Sequence, residues 1–538
     1  MSGEDLDRGE ARVHWLVLGP VTPSPTGKKF QLTQNGYADS FTNAGLSVET
    51  TVRDLLGDQD TRSFNLSFGE LRDFTLKNVV QNVPELKGLY DLSLVLGKPA
   101  KPSPEELLES ISNLVGEGRV YEAVANALNP PTEKPPEEAA NPADASVDEI
   151  LSAGVGRSAA KGAVSSFIGA MRKNTSSKIK LSGAKAARRV LEDIPYVAAA
   201  EILKSPAVAQ IESAWRGLKL LADRCPSSAK MYVEVIDTHA AGAAAAIEAL
   251  PELDALEEPD VIFVIPPVES MDAVEELAAL GEGLMAPILT TAEPSLFGAE
   301  SWQSLPDVLE EPGEALGAWS EYANSESARW LTMVANRVVL CSEGAGEAKR
   351  ACLGSGVWAL AAMQLASYRD TSAFAHCTGR EGSLKAPGMH VLSDGPYEGT
   401  SIPVEAFWPI KVQDRLSKHG ILGLGSPRNA DQVVLTNMPT SCMQDDSAPL
   451  PAQILTGRIV RFASWFKLQL PKDVDPQEMG GLFRQAAEIF LFPGMDQIAR
   501  VRADLAETEE GDLHLAIHAK VAATHAGEPF SIAFSLPL

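Results

Sequence analysis

Apolar and polar positions change rhythm several times along the chain. ARVHWLV, opening at residue 11 and running into Leu18-Gly19, alternates around Val13, Trp15 and Val17 and predicts a strand. NLSFGELRDFTLKNVVQNVPELKGLYDLSLVLG (65–97) turns to helical spacing, so residues 12–96 predict a small α+β unit. Residues 98–146 hold PAKPSP, a helix near EELLESISNLV (105–115), and NPPTEKPPEEAANPADAS, whose Pro, Glu and Ala do not make a core; they predict a linker. From 147 the pattern is helical, through VDEIL, GAVSSFIGAMRK and a stretch near 184–200. The strongest helix is EILKSPAVAQIESAWRGLKLLADRC (201–225). Ser205 is placed to accept from a backbone N–H at its start, Pro206 suits the first turn, and Pro226 stops it. Val208, Ile211, Trp215, Leu218 and Leu221 share one face, off which Arg216, Lys219 and Asp223 fall, so it reads as a buried scaffold helix.

The middle of the chain then reads as α/β. MYVEVID (231–237) predicts a strand, and the wholly apolar DVIFVIPP (260–267) predicts one covered on both faces. A helix over 270–283 and a strand in APILTTA (286–292) complete a parallel β-α-β unit of right-handed type. Towards the end, RIVRFASWFKLQL places Ile459, Phe462, Phe466 and Leu470 on one helix face. DLHLAIHAKVA (512–522) alternates Leu513, Leu515, Ile517 and Val521 inward, and PFSIAFSLPL alternates Phe530, Ile532, Phe534 and Leu536. Joined by HAGE, the two predict a hairpin whose last strand is an unprotected edge able to pair with another chain.

Composition narrows the function. With 46 Lys and Arg against 72 Asp and Glu, a net charge of −26, the surface does not suit nucleic acid or an anionic membrane. No apolar run reaches membrane-span length, and the polar, acidic start is unlike a secretory signal. Five scattered cysteines, none in a C-x-x-C pair, fit reduced thiols in a cytoplasm. Candidate chemistry is sparse. GPVTPSPTGK (19–28) has the wrong spacing for a phosphate loop and no Ser or Thr after its Lys, GVGRSAAKG (154–162) fails likewise, and LGLGSPRN (422–429) reads as a turn. Adjacent strand residues point to opposite faces, which disqualifies His376 and Cys377 as a nucleophile–base couple. His514 and His518 lack a third metal ligand, and the paired carboxylates of EEPDVIF and VLEEPGEA read as solvated loop charge. No catalytic, cofactor or metal constellation is expected.

SPAVAQIESAWRGLKLLADR (205–224) resembles the hallmark helix of the large sheath subunit (TssC) of type VI secretion systems, centred on Trp215, Arg216 and Gly217. YVEVID, DVIFVI, APILTTAEPSLFGAESWQSLPDV (286–308), WSEYANSESARWLTMVANRVVL (319–340), DRLSKHGILGLG (414–425) and GRIVRFASWFKLQL (457–470) resemble further segments of that subunit, in its order. NLSFGELRDFTLKNVVQNVPELKGLYDL (65–92), with ARVHWLV before it, resembles the small sheath subunit (TssB). The resemblance implies a fusion: a TssB-like part over 1–97, a linker over 98–146, a TssC-like α/β region over 147–450 and its α+β end over 451–538. It implies a multi-domain sheath-protein fold, α/β and α+β, with a central mixed β-sheet flanked by helices and terminal strands available for pairing between subunits. It further implies a non-enzymatic protein of the bacterial cytoplasm that polymerises helically around an inner tube protein. Further implied partners are baseplate components and an AAA+ unfoldase gripping a helix near 147–172 or 105–115, without membrane insertion. Interface candidates are Val13, Trp15, Val17, Phe530, Ile532 and Phe534. ANRVVLCSEG (335–344) keeps only Arg337 of an arginine-rich family segment, which leaves a non-contractile adaptor, cap or baseplate-side component as the alternative. An α/β enzyme, supported only by the β-α-β unit, is the other.

Overall fold

VHWLVLG forms the strand it predicts, β1 (Val13–Gly19), but all seven of its residues are buried, so it has no solvent face. In the computed structural model, residues 13–98, 102–128, 183–225, 231–251, 257–470, 476–491, 499–507 and 513–537 are described. The stretches VDEIL, GAVSSFIGAMRK and NPPTEKPPEEAANPADAS lie outside the described residues. The strands following β1 are β2 (Lys29–Leu32), β3 (Leu46–Arg53), β4 (Thr61–Phe68), β5 (Met231–Asp237), β6 (Val261–Val268), β7 (Ile288–Ala292), β8 (Leu331–Ala335), β9 (Val338–Glu343) and β10 (Arg350–Gly354). Then come β11 (Leu384–Lys385), β12 (His390–Val391), β13 (Ser401–Ile402), β14 (Ile421–Gly423), β15 (Gln432–Val433), β16 (Ala499–Glu507), β17 (Leu513–Val521) and β18 (Phe530–Pro537).

Two compact units form, each from separated stretches of chain. The first comprises Met1–Ala44, Ser213–Cys341 and Ala351–Leu538. Its centre is a mixed seven-stranded sheet, ordered β14-β8-β7-β6-β1-β5-β2, flanked by helices. Only β2 runs antiparallel to its neighbour; the other five pairings are parallel. Strands buried on both faces carry apolar side chains at nearly every position, which is how VHWLVLG and VIFVIPPV read. Between β6 and β7 the helix Met271–Gly283 begins where Ser270 Oγ accepts from the Ala273 amide, and buries Val274, Leu277 and Ala278. These join Leu16, Ile262, Ile288 and Met333 in a core completed by Trp319, Trp302 and Trp408. Trp15 lies against Phe263, ring centres 4.7 Å apart.

The second unit, Gly45–Glu212 with Ser342–Arg350, contains the β3–β4 hairpin and five α-helices among the described residues: Leu76–Asn82, Pro84–Leu96, Pro104–Val115, Arg119–Leu128 and Gly183–Lys204. Asn65-Leu66-Ser67-Phe68, read as the start of a helical stretch, completes β4 instead. Residues 104–128, expected inside a linker, fold as two helices. Ser103 and Glu106 form a reciprocal capping box, and Leu107, Ile111, Val115, Val120 and Val124 are buried. The first is the helix expected near 105–115; the second, Arg119–Leu128, has no counterpart in the expected linker. Ser205 does not accept at a helix start: its hydroxyl donates back to the Ile202 carbonyl at 2.6 Å, closing the preceding helix before Pro206 opens the next. A buried ion cluster orders this unit. The Arg350 guanidinium donates to both Glu212 oxygens (2.7 and 2.9 Å), to Glu343 and to the Phe74 carbonyl, and Glu343 in turn accepts from the Leu76 amide. Burial alone would lower the Arg350 pKa; Glu212 and Glu343 outweigh it and hold it above its ordinary value.

Candidate assembly surface

The carboxy-terminal portion of the first unit has a core of its own. The helix Leu450–Gln469 lays Ile459, Phe462 and Phe466 against Phe483 of the helix Pro476–Phe490 and against Leu515, Ile517 and Val521 of β17. Leu470 caps the first helix, partly buried against the same core. The helix is fixed to the central sheet by charge. Arg458 donates to Asp260 at 2.6 Å, Arg461 pairs with the other Asp260 oxygen, and Asp260 also accepts from the His14 amide at 2.9 Å. Burial pulls the Arg461 pKa below its ordinary value, against the pull of Asp260. The helix also passes close to the turn before β7 at Gly457, where a Cβ would lie 1.9 Å from the Met285 carbonyl oxygen, so only glycine fits.

Above that core lies a three-stranded antiparallel sheet, ordered β16-β17-β18. The hairpin forms as predicted, with Phe534 opposite Ile517, although the connection contains a short helix, Ala523–Ala526. β16 was not foreseen: its ARVRADLAE interleaves charge with small apolar residues and carries little strand signal. Of the expected inward residues of β17, Leu515, Ile517 and Val521 are buried with Ala519, while Leu513 is exposed. Phe530, Ile532, Phe534 and Leu536 are half-buried against the core, and Ser531, Ala533, Ser535 and Pro537 face out. β18 pairs with β17 along its whole length, and no described strand pairs with its other side. Its sequence, FSIAFSLP, has none of the lysines or inward charges by which proteins blunt an edge strand.

The other interface candidates are placed differently. Val13, Trp15 and Val17, expected to pair between protomers, are at most 1% exposed, in a strand bonded to β5 on one side and β6 on the other. They are core, because β1 has no free edge. Trp215 is also core: its indole N–H donates to the Val21 carbonyl (2.8 Å), its own carbonyl accepts from the Tyr37 hydroxyl (2.9 Å), and Phe41 lies 4.7 Å away. Gly217 is required because a Cβ there would come within 2.2 Å of the Trp358 ring. Arg216 is partly exposed, and its charge opposes the rise that burial imposes on the Tyr37 pKa. The Trp-Arg-Gly triplet thus packs a helix, as its spacing implied. Arg337 is held within the chain by a two-pronged pair to Glu405 at 2.5 and 2.7 Å. The residue before it, Asn336, is wholly buried at φ 82°. Its amide donates to the Ala406 and Leu424 carbonyls and accepts from the Ala406 and Arg337 amides. That anchor went unread, since a lone Asn in a turn carries no distinguishing signal.

The candidate chemical residues also take structural places. The loop 19–28 does cradle an anion, but the anion is its own: Asp237 at the end of β5. One Asp237 oxygen accepts from the Val21 and Thr22 amides (2.9 and 3.1 Å), the other from the Thr22 hydroxyl and the Thr26 amide (2.6 and 3.0 Å). His376 and Cys377 sit in a turn rather than a strand, and burial pushes the Cys377 thiol up to about 12. His514 and His518 lie on the outer face of β17. Among the described residues no group of three or more His, Cys, Asp or Glu is arranged to hold a metal, and no helix is long and apolar enough to cross a membrane. The helix at 105–115, one candidate grip for an unfoldase, buries its apolar face; the other, 147–172, lies outside the described residues.

No family model and no curated protein matches the chain. Among solved structures it is similar to the PVC sheath complex of an extracellular contractile injection system in the contracted state. The identity is 12%, 61% of this chain and 77% of that chain are covered, and the TM-score is 0.34. It is also similar to the helical sheath of the anti-feeding prophage (AFP) in the contracted state, at 13% identity, with 61% and 79% covered and a TM-score of 0.33. The AFP baseplate is matched at 14% identity, with 61% and 77% covered and a TM-score of 0.32. Likeness at this level does not decide function.

Proposed function

We propose that this chain is a structural subunit of a type VI secretion-type contractile sheath, with small- and large-subunit parts fused. It assembles helically in the bacterial cytoplasm around an inner tube protein and drives that tube out on contraction. Baseplate components and an AAA+ unfoldase are its further partners, and no catalytic step is assigned to it. The observation that carries the reading is β18: an uncharged, alternating strand with its outer side unpaired, seated on a sheet with its own core. Such a strand either aggregates or is completed by another chain. The ordered resemblances to sheath subunits support a sheath as the assembly that completes it.

The test leaves the inner side of β18 intact. Ser531→Lys with Ser535→Lys adds charge to the edge strand at exposed positions. Purified wild-type protein, alone or with its inner tube protein, is expected to form hollow ridged tubes by negative-stain electron microscopy. The double variant is expected to stay a folded, soluble single particle. Tubes formed equally by the variant would overturn the role of β18. Arg337, held by Glu405 within the chain, favours the second reading, a non-polymerising adaptor, cap or baseplate-side component. Discrete particles from the wild type under both conditions would establish that reading instead.

A further inference from the structure

Negative charge is concentrated in one part of this protein. From Met231 to Ala328 the chain has 21 Asp and Glu and not one Lys or Arg, which is most of the net −26. On the helix Met271–Gly283, Asp272, Glu275, Glu276 and Glu282 are exposed; on the helix Glu314–Ala323, Glu314 and Glu321 are. Both helices bury their other sides in the same core, against one face of the central sheet, so their carboxylates form one acidic layer. Among the described residues, Arg415 of the helix Ile410–Lys418 spans to Glu310 at 2.5 Å, and Arg329, the first cation after the run, donates to the Glu326 carbonyl. Like charges so crowded repel one another, and a layer of this kind gains from a basic surface set against it.

The same chain carries such a surface. On the outer face of the carboxy-terminal sheet Arg500 stands directly opposite Lys520, and Arg502 opposite His518. Arg500, Arg502 and Lys520 are exposed. Like charges directly opposite across two strands destabilise a sheet. Neither Arg500 nor Lys520 has an ion pair to a described residue, and Asp504, 3.7 Å from Arg502, is the one acid beside them on that face among the described residues. A cross-strand Arg–Lys pair is relieved when a carboxylate from outside sits between the two. Nucleic acid would supply anions as well, but the chain's overall charge repels it.

We propose that the basic outer face of the β16–β18 sheet docks onto the acidic helical layer of a second copy of this chain. The contact joins two different surfaces, so it is head-to-tail, and repeated contacts of that kind build open filaments rather than closed dimers. The inference rests on the polymer-forming reading and names a lateral contact for it, separate from the β18 edge.

The experiment uses the full chain and charge reversal. Arg500→Glu with Lys520→Glu reverses the basic face; Glu275→Lys with Glu276→Lys reverses part of the acidic layer. Assembly is followed by sedimentation velocity and negative stain over a range of salt, with circular dichroism confirming that each variant folds. Each pair alone is expected to raise the concentration needed for assembly about tenfold or more at low salt, and the combined four-fold variant to restore it. Wild-type assembly is expected to weaken as salt rises. Polymers that form at the wild-type concentration with Arg500 and Lys520 reversed would overturn this docking while leaving the β18 reading intact. Losses that the combined variant does not repair would overturn the pairing of these two surfaces. A wild type that stays monomeric at low salt would overturn both readings.

Discussion

β1 and β18 are both short, apolar strands, and their fates are opposite. β1 lies in the interior of a seven-stranded sheet, bonded on both sides; β18 ends a three-stranded one. Both alternate large apolar side chains at every second position, yet in β1 the intervening residues, His14, Leu16 and Leu18, are buried too, whereas in β18 they are exposed. The informative feature is therefore what stands between the hydrophobic residues. Apolar residues in both registers mark a strand that the fold has enclosed. Polar or small residues in the second register mark one with a free face, and lack of charge then leaves its edge open.

That contrast can be broken by substitution, the largest effect coming first. Trp15→Ala removes a buried ring from the middle of the central sheet and is expected to cost about 3–5 kcal/mol, read as a fall in the denaturation midpoint and loss of soluble protein. A loss under about 1 kcal/mol would mean that β1 is not enclosed as described. Gly217→Ala sets a methyl group against the Trp358 ring and is expected to cost about 1–3 kcal/mol by the same measurement, with assembly unchanged in the surviving protein. Phe534→Ala, on the half-buried side of β18, is expected to cost about 1 kcal/mol, since only part of its area is covered. The Ser531 and Ser535 lysine variants are expected to fall within about 0.5 kcal/mol of the wild type while losing assembly. A strand whose stability and assembly effects rise together would not be a free edge.

Much of this was legible in the sequence. The β-α-β run over 261–292 could be read because a continuous apolar strand, a capped helix and a second apolar strand follow one another locally. The hairpin of β17 and β18 could be read for the same reason, and so could the scaffold role of the Trp215 helix. The order of the central sheet could not. β1 lies between β5 and β6, more than two hundred residues further along, and no short-range pattern encodes a partner at that distance. Asp237 escaped notice because a lone carboxylate at a strand end looks like any other until the amides that surround it, from Val21 to Thr26, are in place. Likewise the acidic run from 231 to 328 is plain as a count, but only the fold turns it into a layer facing one way.

The interleaving of the two units has a consequence for how the protein holds together. Described residues before 129 contribute β1 and β2 to the first unit and the β3–β4 hairpin with four helices to the second; described residues after 182 contribute further elements to both. Each unit is thus a joint between an early and a late part of the chain, and Asp237, gripped by the loop 19–28, is a rivet in one of them. A protease cut at Pro135 would leave two polypeptides threaded through each other at two independent places. They are expected to elute together on a sizing column and to come apart only when both joints unfold. The covalent link between the early and late parts then matters less for keeping them together than for ensuring that each is made with the other, in equal number.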